Sequence, residues 1–328
     1  MSIGGRIVSL AGRSLCIEAT SERAQSAIFP AIAHLVAEPR ADSRQTRWTI
    51  VEENVSWRPR AFAGTGAYRI RSGGFAVVQN DPASFESYRP EVGIELRATS
   101  AALAAGDLRA QPACHALAAW LAGPSTQVLH AAAVAYEGAA ALIVGAGGVG
   151  KSTTVLACAR AGAGFLGDDL VLVESGGDDH NTEPTVHCLF ATAKLNPDSA
   201  LALGAEAWPR LGVTSKNKAV VAVQDRLQVI RSAPIVALIV LAPPVFGRPY
   251  PAPLRMARVI TSITPTALPL AWRASTPAAW LATAAALARK LPAYQLPVSW
   301  ELDALGTAVR EIISQAAAGD RVKRRSAP

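Results

Sequence analysis

Residues 141–154, ALIVGAGGVGKSTT, constrain the fold more than any other stretch of the chain. A short, continuous apolar run suits a strand buried on both faces. The glycines that follow permit a tight turn, and Lys151-Ser152 then open a helix whose first backbone N–H groups have no partner within it. Strand, glycine loop and helix N-terminus in that order build an anion site from backbone alone.

Two phosphate-binding patterns overlie one another here. Gly145, Gly147 and Gly150 read as G-x-G-x-x-G, the dinucleotide fingerprint. Gly145, Gly150, Lys151 and Ser152 read as G-x-x-x-x-G-K-[ST], the Walker A loop of a nucleoside triphosphate site. The triphosphate reading uses a cradle formed by Gly145, Ala146, Gly147, Gly148, Val149 and Gly150. It adds Lys151 for the β/γ charge and Ser152, with Thr153 beside it, at the first helical turn for Mg²⁺. A chance match in a chain of this length is on the order of one per cent. The dinucleotide reading expects an acidic residue about 20 positions on, ending the next strand. Asp168 has the distance, but Asp168-Asp169 precede the strand-like LVLVE, and Lys151-Ser152 would be superfluous there. Triphosphate binding is the stronger expectation.

With 328 residues, half of them apolar, the chain can bury a substantial core. Its mean hydropathy of +0.23 reflects alanine richness, because the best apolar run, from Ala233, is too short for a membrane span and carries prolines. No signal-like stretch precedes Glu18 and Glu22, so the expectation is a cytoplasmic protein with no membrane partner. Cys16, Cys114, Cys158 and Cys188 lie far apart without a C-x-x-C pair, which speaks against a zinc site or disulfide framework and for buried thiols. The net charge of +7 is partly concentrated in the tail RVKRRSAP, a solvated terminus and not a nucleic-acid surface. His34, His115, His180 and His187 show no metal-ligand spacing, and Asp178-Asp179-His180 read as a solvated loop. The tryptophans, among them Trp120, Trp208, Trp272 and Trp280, read as core or domain-interface residues.

Residues 1–110 alternate β-like runs, RWTIVEENV, AYRIRSGGFAVVQN and EVGIELRA, with turn signals, and form a small β-rich N-terminal domain. A helix over roughly 112–122, stopped by Gly123 and Pro124, opens a domain over 111–318, and residues 319–328 form a basic flexible tail. Within the second domain, Glu137-Gly138 turn a hairpin, a helix runs from Lys151 to about Arg160 and Gly162 ends it. PIVALIVLA is a buried strand bounded by Pro243 and Pro244, and helices cover 277–290 and DALGTAVREIISQAAA.

Asp168-Asp169 beside a phosphate loop have a clear use, one carboxylate accepting the proton of an attacking hydroxyl and the other helping to hold Mg²⁺. The stretch from His130 to Glu174, with a His opening a strand, a hairpin, the Walker A strand, a helix and Gly-Asp-Asp before another strand, resembles the core of HPr kinase/phosphorylase and its relatives. A weaker similarity runs on through KLNPDSALALG, KNKAVVAV, APIVALIVL and LPAYQL, as in related kinases found beside peptide-modification genes, including lasso-peptide clusters. The resemblance implies an α/β fold of the HPr kinase and phosphoenolpyruvate carboxykinase type, with a mixed sheet. It implies that Asp168 is the base on the acceptor hydroxyl, that His130 belongs to the same site and that Asp169 lies on or near the metal. Hexamers occur among the relatives, which makes a homo-oligomer an expectation. The chain departs from the family in lacking the Gly-Glu-Ile-Arg-Gly segment. VHCLFATAKLNPDS stands at that distance, so the metal-binding glutamate has no counterpart. Lys194, Lys218, Arg226 and Arg231 are unranked candidates for transition-state charge.

These readings converge on an ATP- and Mg²⁺-dependent kinase whose acceptor is a Ser or Thr hydroxyl on a peptide or protein, such as a ribosomally made precursor peptide. The alternatives are an ATPase switch without phosphorylated product, a small-molecule hydroxyl kinase and, least favoured, a dinucleotide-binding enzyme. The first 110 residues are expected to bind the acceptor or a partner, so that truncating them spares ATP binding and abolishes transfer.

Overall fold

The computed structural model describes residues 3–38, 45–53, 66–69, 74–80, 83–176, 182–263 and 277–325. Asp178, Asp179, His180 and Trp272 lie outside the described residues. The protein is mixed α/β with mixed sheets.

The N-terminal region opens with a hairpin of β1 (Ile3–Leu10) and β2 (Arg13–Ala19), turned by Ala11 and Gly12, both at positive φ. Helix α1 (Glu22–Ile32) starts at Ser21, whose hydroxyl accepts the Ala24 amide at 3.1 Å. Ala24, Ala27, Ile28, Ala31 and Ile32 give it a buried stripe at helical spacing. It carries the chain across the sheet, so that β3 (Gln45–Glu53) pairs parallel to β2. Strands β4 (Gly66–Arg69), β5 (Phe75–Asn80), β6 (Ala83–Arg89) and β7 (Gly93–Thr99) complete seven strands in the order β1-β2-β3-β7-β6-β5-β4. The expected strands correspond to β3, the antiparallel pair β4 and β5, and β7. The first hairpin, α1 and β6 were not anticipated, because short runs such as IGGRIVSL are interrupted by glycine. Three short helices follow: α2 (Ser100–Ala104), α3 (Gly106–Ala110) and α4 (Cys114–Leu121).

The second sheet has nine strands. Its path is β11 (Gly164–Gly167), β9 (Ala132–Tyr136), β10 (Ala139–Val144), β17 (Ser232–Val245), β13 (Thr185–Cys188), β12 (Val171–Glu174) and β8 (Thr126–Leu129). Strand β19 (Ala293–Ser299) adds to β17, and β18 (Ala252–Pro253) adds to β19. The β10–β17 and β17–β19 pairs are parallel, and the others are antiparallel. Glu137 (φ 51°) and Gly138 (φ 82°) turn the β9–β10 hairpin where expected. A small third sheet holds β14 (Thr192–Leu195), β16 (Ala219–Ala222) and β15 (Arg210–Val213), with α6 (Pro197–Ala202) between the first two in sequence.

Strand β17 corrects one expectation, since it runs through Pro243 and Pro244 to Val245. Val240 is its last residue paired to β10, so beyond it that edge needs no proline N–H. On the other edge the register against β19 shifts between Ala242 and Val245, the kind of bulge that tolerates proline. The last helix, α9 (Leu302–Arg325), also runs past the expected end into the basic tail.

Both faces of the central sheet are covered, which is why ALIV reads as an unbroken apolar run. Ala141 and Ile143 of β10 point into a core with α5 (Lys151–Arg160) and α9. Ala140, Leu142 and Val144 point into the opposite core, with α7 (256–263) and α8 (Pro277–Lys290). A third core joins the N-terminal sheet, α1 and α4 to Leu170, Leu172, Leu189 and Phe190.

Candidate functional site

The glycine loop follows β10 directly. Gly145 (φ 158°) is extended backbone, whereas Gly148 (φ 82°) and Gly150 (φ 114°) take left-handed conformations that suit glycine. Residues 146–148 are exposed. The amides of Gly147, Gly148 and Gly150 have no hydrogen-bond partner among the described residues. Helix α5 begins at Lys151 with Gly150 as its N-cap, leaving its first-turn amides without intrahelical partners. It ends in a Schellman arrangement, Ala163 N to Cys158 O at 3.0 Å and Gly162 N to Ala159 O at 3.1 Å. The Lys151 side chain is buried, and its ammonium donates to the loop carbonyls of Gly145 (2.9 Å) and Ala146 (3.4 Å). Burial holds its pKa below the usual lysine range, against the pull of Asp169 and Asp168, and Lys218 adds to the lowering. A cradle of free amides closing on a buried ammonium fits a polyphosphate.

The aspartate pair reaches this loop through strand pairing. Strand β9 pairs antiparallel with β11, and β8 pairs antiparallel with β12. The two pairings form one interrupted ribbon, with His130 in the gap between β8 and β9 and Asp168-Asp169 in the gap between β11 and β12. Asp169 takes a left-handed conformation (φ 72°), rare for a non-glycine residue. His130 Nε2 lies 2.5 Å from Asp169 Oδ1. Lys194 Nζ donates to Asp169 Oδ2 at 2.8 Å and to Gln111 Oε1 at 2.8 Å, and Gln111 Nε2 donates to Asp169 Oδ2 at 3.0 Å. Burial opposes ionisation of Asp169, but the His130 hydrogen bond and the Lys194 ammonium hold its carboxyl far below the usual carboxylate range.

Asp168 differs from its neighbour. It is 3% exposed, and its Oδ2 accepts the Lys194 backbone amide at 3.1 Å, while Oδ1 is buried with no hydrogen-bond partner. Burial, followed by the adjacent Asp169 charge, pushes its pKa up, and the Lys194 amide, the Ser152 hydroxyl and the Lys194 ammonium restrain the rise. The pKa values of two adjacent carboxyls are thus driven apart, Asp169 downward and Asp168 upward. The Ser152 hydroxyl and the Asp169 carboxylate would offer oxygens of the kind a hard cation such as Mg²⁺ takes, although both Asp169 oxygens are engaged here by His130, Lys194 and Gln111.

The structure brings together Lys151, Ser152, Asp168, Asp169 and His130. Of the four cations left unranked, Lys194 lies within the cluster, Lys218 acts on Lys151, and Arg231 lies elsewhere, donating to Val36 O. Gln111 was missed, because a lone glutamine in AQPACHA carries no chemical signature. The argument from strand position also needs correction. Asp168 does follow a strand, the four-residue β11, which no expected element covered. That strand is antiparallel to β9, while the parallel neighbour of β10 is β17. The acid therefore does not end a parallel strand beside the glycine-loop strand, as a dinucleotide site requires.

His115 is a second correction. Although its spacing suggests no cluster, folding places it against Glu86 of β6, with Cys114 Sγ 3.5 Å from its Nδ1. Glu86 Oε2 also accepts the amides of His115 (3.0 Å) and Ala116 (3.1 Å), capping α4. Trp120 and Trp280 are buried as expected, whereas Trp300 is 69% exposed.

Fold and site together define a mixed α/β protein with a glycine-rich loop at a helix N-terminus and an acidic pair beside it. No family model matches the chain, and no curated protein matches it. Among solved structures it is similar to the HPr(Ser) kinase/phosphatase from Coxiella burnetii, at 13% identity and a TM-score of 0.35, over 62% of this chain and 99% of that one. Among the described residues no helix is long and apolar enough to cross a membrane.

Proposed function

We propose that the protein is a Mg²⁺- and ATP-dependent phosphotransferase that moves the γ-phosphoryl group to a Ser or Thr hydroxyl of a peptide or protein. The observation that carries this reading is Asp168: a buried carboxyl with a raised pKa and an unpartnered oxygen, next to the first helical turn of the glycine loop. Backbone amides of residues 146–152 hold the phosphates, and Lys151 leaves the loop carbonyls to meet their β/γ oxygens. Ser152 and Asp169 would hold the metal, which would supply positive charge against the phosphates. Asp168 takes the proton from the acceptor hydroxyl, its raised pKa making it a stronger base than an ordinary carboxylate. His130 fixes Asp169 and borders the acceptor side, and Lys194 adds positive charge to the same face. Gln111, just past the N-terminal region, joins the cluster, and the N-terminal region is the part assigned to acceptor or partner recognition.

The test is mass spectrometry of peptides and a panel of small hydroxyl compounds after incubation with the protein and Mg-ATP. A phosphorylated peptide that disappears in Asp168→Asn and Lys151→Ala supports the reading. Phosphorylation of a small molecule alone would replace the peptide acceptor, and ADP without any phosphorylated product would replace the kinase by an ATPase switch.

A further inference from the structure

Cys114 and His115 are the first two residues of helix α4, and folding sets both beside Glu86 of β6. One ligand atom from each, a thiol sulfur, an imidazole nitrogen and a carboxylate oxygen, lies within 4.8 Å of the other two. No other three His, Cys, Asp or Glu side chains converge in this way among the described residues. The sequence hides the group, because Glu86 stands 29 positions before His115 and in a different element.

The contacts converge on one atom. Cys114 Sγ lies 3.5 Å from His115 Nδ1, and Glu86 Oε1 also meets Nδ1. A thiol–imidazole–carboxylate relay needs the thiol and the acid on opposite ring nitrogens, so this is not a nucleophile with its base. Convergence on one point is instead the arrangement of a chelate. A sulfur at about 2.3 Å and a nitrogen at about 2.0–2.1 Å from one tetrahedral zinc stand about 3.5 Å apart. The backbone holds these ligands from behind. Ala113, the N-cap of α4, takes a left-handed conformation (φ 49°) and its side chain cannot cap the helix. Glu86 does so from the neighbouring strand, its Oε2 accepting the amides of His115 at 3.0 Å and Ala116 at 3.1 Å while Oε1 faces the ring. The Glu86 and His115 side chains are 11% and 16% exposed and Cys114 is half-buried, which leaves the group open to an ion and a water.

We propose that Glu86, Cys114 and His115 form a binding site for a borderline-soft divalent cation of the zinc class, which ties β6 to the start of α4. One thiolate, one imidazole and one carboxylate select such an ion over Mg²⁺, whose ligands are oxygens, and water completes the tetrahedron. On entry the ion replaces the thiol proton and the proton between ring and carboxylate, and Oε1 moves off Nδ1 to ligand spacing. Two protons leave as one dication arrives, so the charge of the group is unchanged. Without the ion the same residues are a helix cap and an ion pair. The tie lies where the two main sheets join, because α4 shares one core with the N-terminal strands and with Leu172 of β12. The site does not draw on the nucleotide reading and stands or falls apart from it.

The experiment uses the full chain stripped of metal with a chelator. Co²⁺ is added and followed by its thiolate charge-transfer absorption, and Zn²⁺ binding is measured by calorimetry and by displacement of the cobalt. The unmodified protein is expected to take up a single equivalent of either ion, to show the thiolate band with cobalt and to melt at a higher temperature with zinc than without. Cys114→Ser is expected to abolish the band. Cys114→Ser and Glu86→Gln are each expected to weaken zinc about 100-fold or more, a larger loss than an outer-shell partner usually causes. Cooperative melting of the metal-free variants shows that they are folded. An unmodified protein that gives no thiolate band overturns the site. So does zinc held as tightly by Cys114→Ser as by its parent, which would place the ion elsewhere on the chain. Unchanged zinc affinity in Glu86→Gln overturns the three-ligand assignment and leaves Glu86 as the cap of α4.

Discussion

Asp168 illustrates what a single residue costs and supplies. Its carboxyl is forced into a buried position beside another negative charge, so its folded pKa lies above its unfolded value. An acid shifted upward binds more protons folded than unfolded, so ionisation costs stability as pH rises past the unfolded value near 4. Asp168→Asn is therefore expected to raise the melting temperature at pH 7 and to leave it nearly unchanged at pH 3, as thermal scans at both values would show. The same variant is expected to lower phosphoryl transfer about 10²–10⁴-fold, the usual contribution of a general base, while ATP binding persists. Lys194→Met tests the neighbouring residue. It removes the cation from Asp169 Oδ2 and strips Gln111 Oε1 of its donor. The expected outcome is a loss of transfer with the fold retained, checked by steady-state kinetics beside circular dichroism. The pair Asp168-Asp169 and Lys151 were legible from residue type and order. Lys194 was one of four equal candidates until the fold placed its ammonium on Asp169.

At the scale of the element, the glycine loop and helix α4 depend on groups outside themselves. Gly150 holds a left-handed conformation, and a Cβ there would meet two Val298 methyls at 3.2 and 3.3 Å. Gly150→Ala is expected to cost about 1–3 kcal/mol in strain and to abolish polyphosphate binding, read by denaturant titration and calorimetry. Helix α4 is capped from another sheet, Glu86 accepting the His115 and Ala116 amides while it pairs with the His115 ring. Glu86→Ala leaves those donors buried without their acceptor and is expected to destabilise the protein by about 3–5 kcal/mol. Burial works against both charges. His115 nevertheless lowers the Glu86 pKa, and Cys114 and Glu86 raise that of His115. The Glu86 contribution is full above its unfolded pKa and is lost in acid; the His115 contribution is full below its unfolded pKa near 6.5 and is lost as pH rises through its folded value. Stability measured from pH 4 to 10 should thus peak near pH 5–6, and Glu86→Gln should flatten that peak.

For the whole molecule, the N-terminal region is not an appendage to the glycine-loop sheet. Trp48, Ile50 and Leu96 of its strands share one apolar core with Leu117 and Leu121 of α4 and with Leu172, Leu189 and Phe190. The site also draws Gln111 from the segment between α3 and α4. Cutting at residue 110 would expose that core, which changes the outcome expected from the sequence. The fragment 111–328 should aggregate or fail to melt cooperatively, as light scattering and calorimetry would show. A soluble fragment that melts cooperatively and binds ATP would instead establish two independent units.

Local sequence alone specifies the short-range pieces: a buried strand, a glycine loop, a helix with its caps, a hairpin turned by Glu137-Gly138, and an acidic pair at a set distance. Each follows from short-range rules of periodicity, positive φ and capping that operate within a few residues. Tertiary pairing alone set which strand lies parallel to β10, that His130 meets Asp169, and that Lys194 and Gln111 complete the cluster. Those outcomes depend on strand order and register, and such long-range pairings leave no mark on the composition of the segments they join.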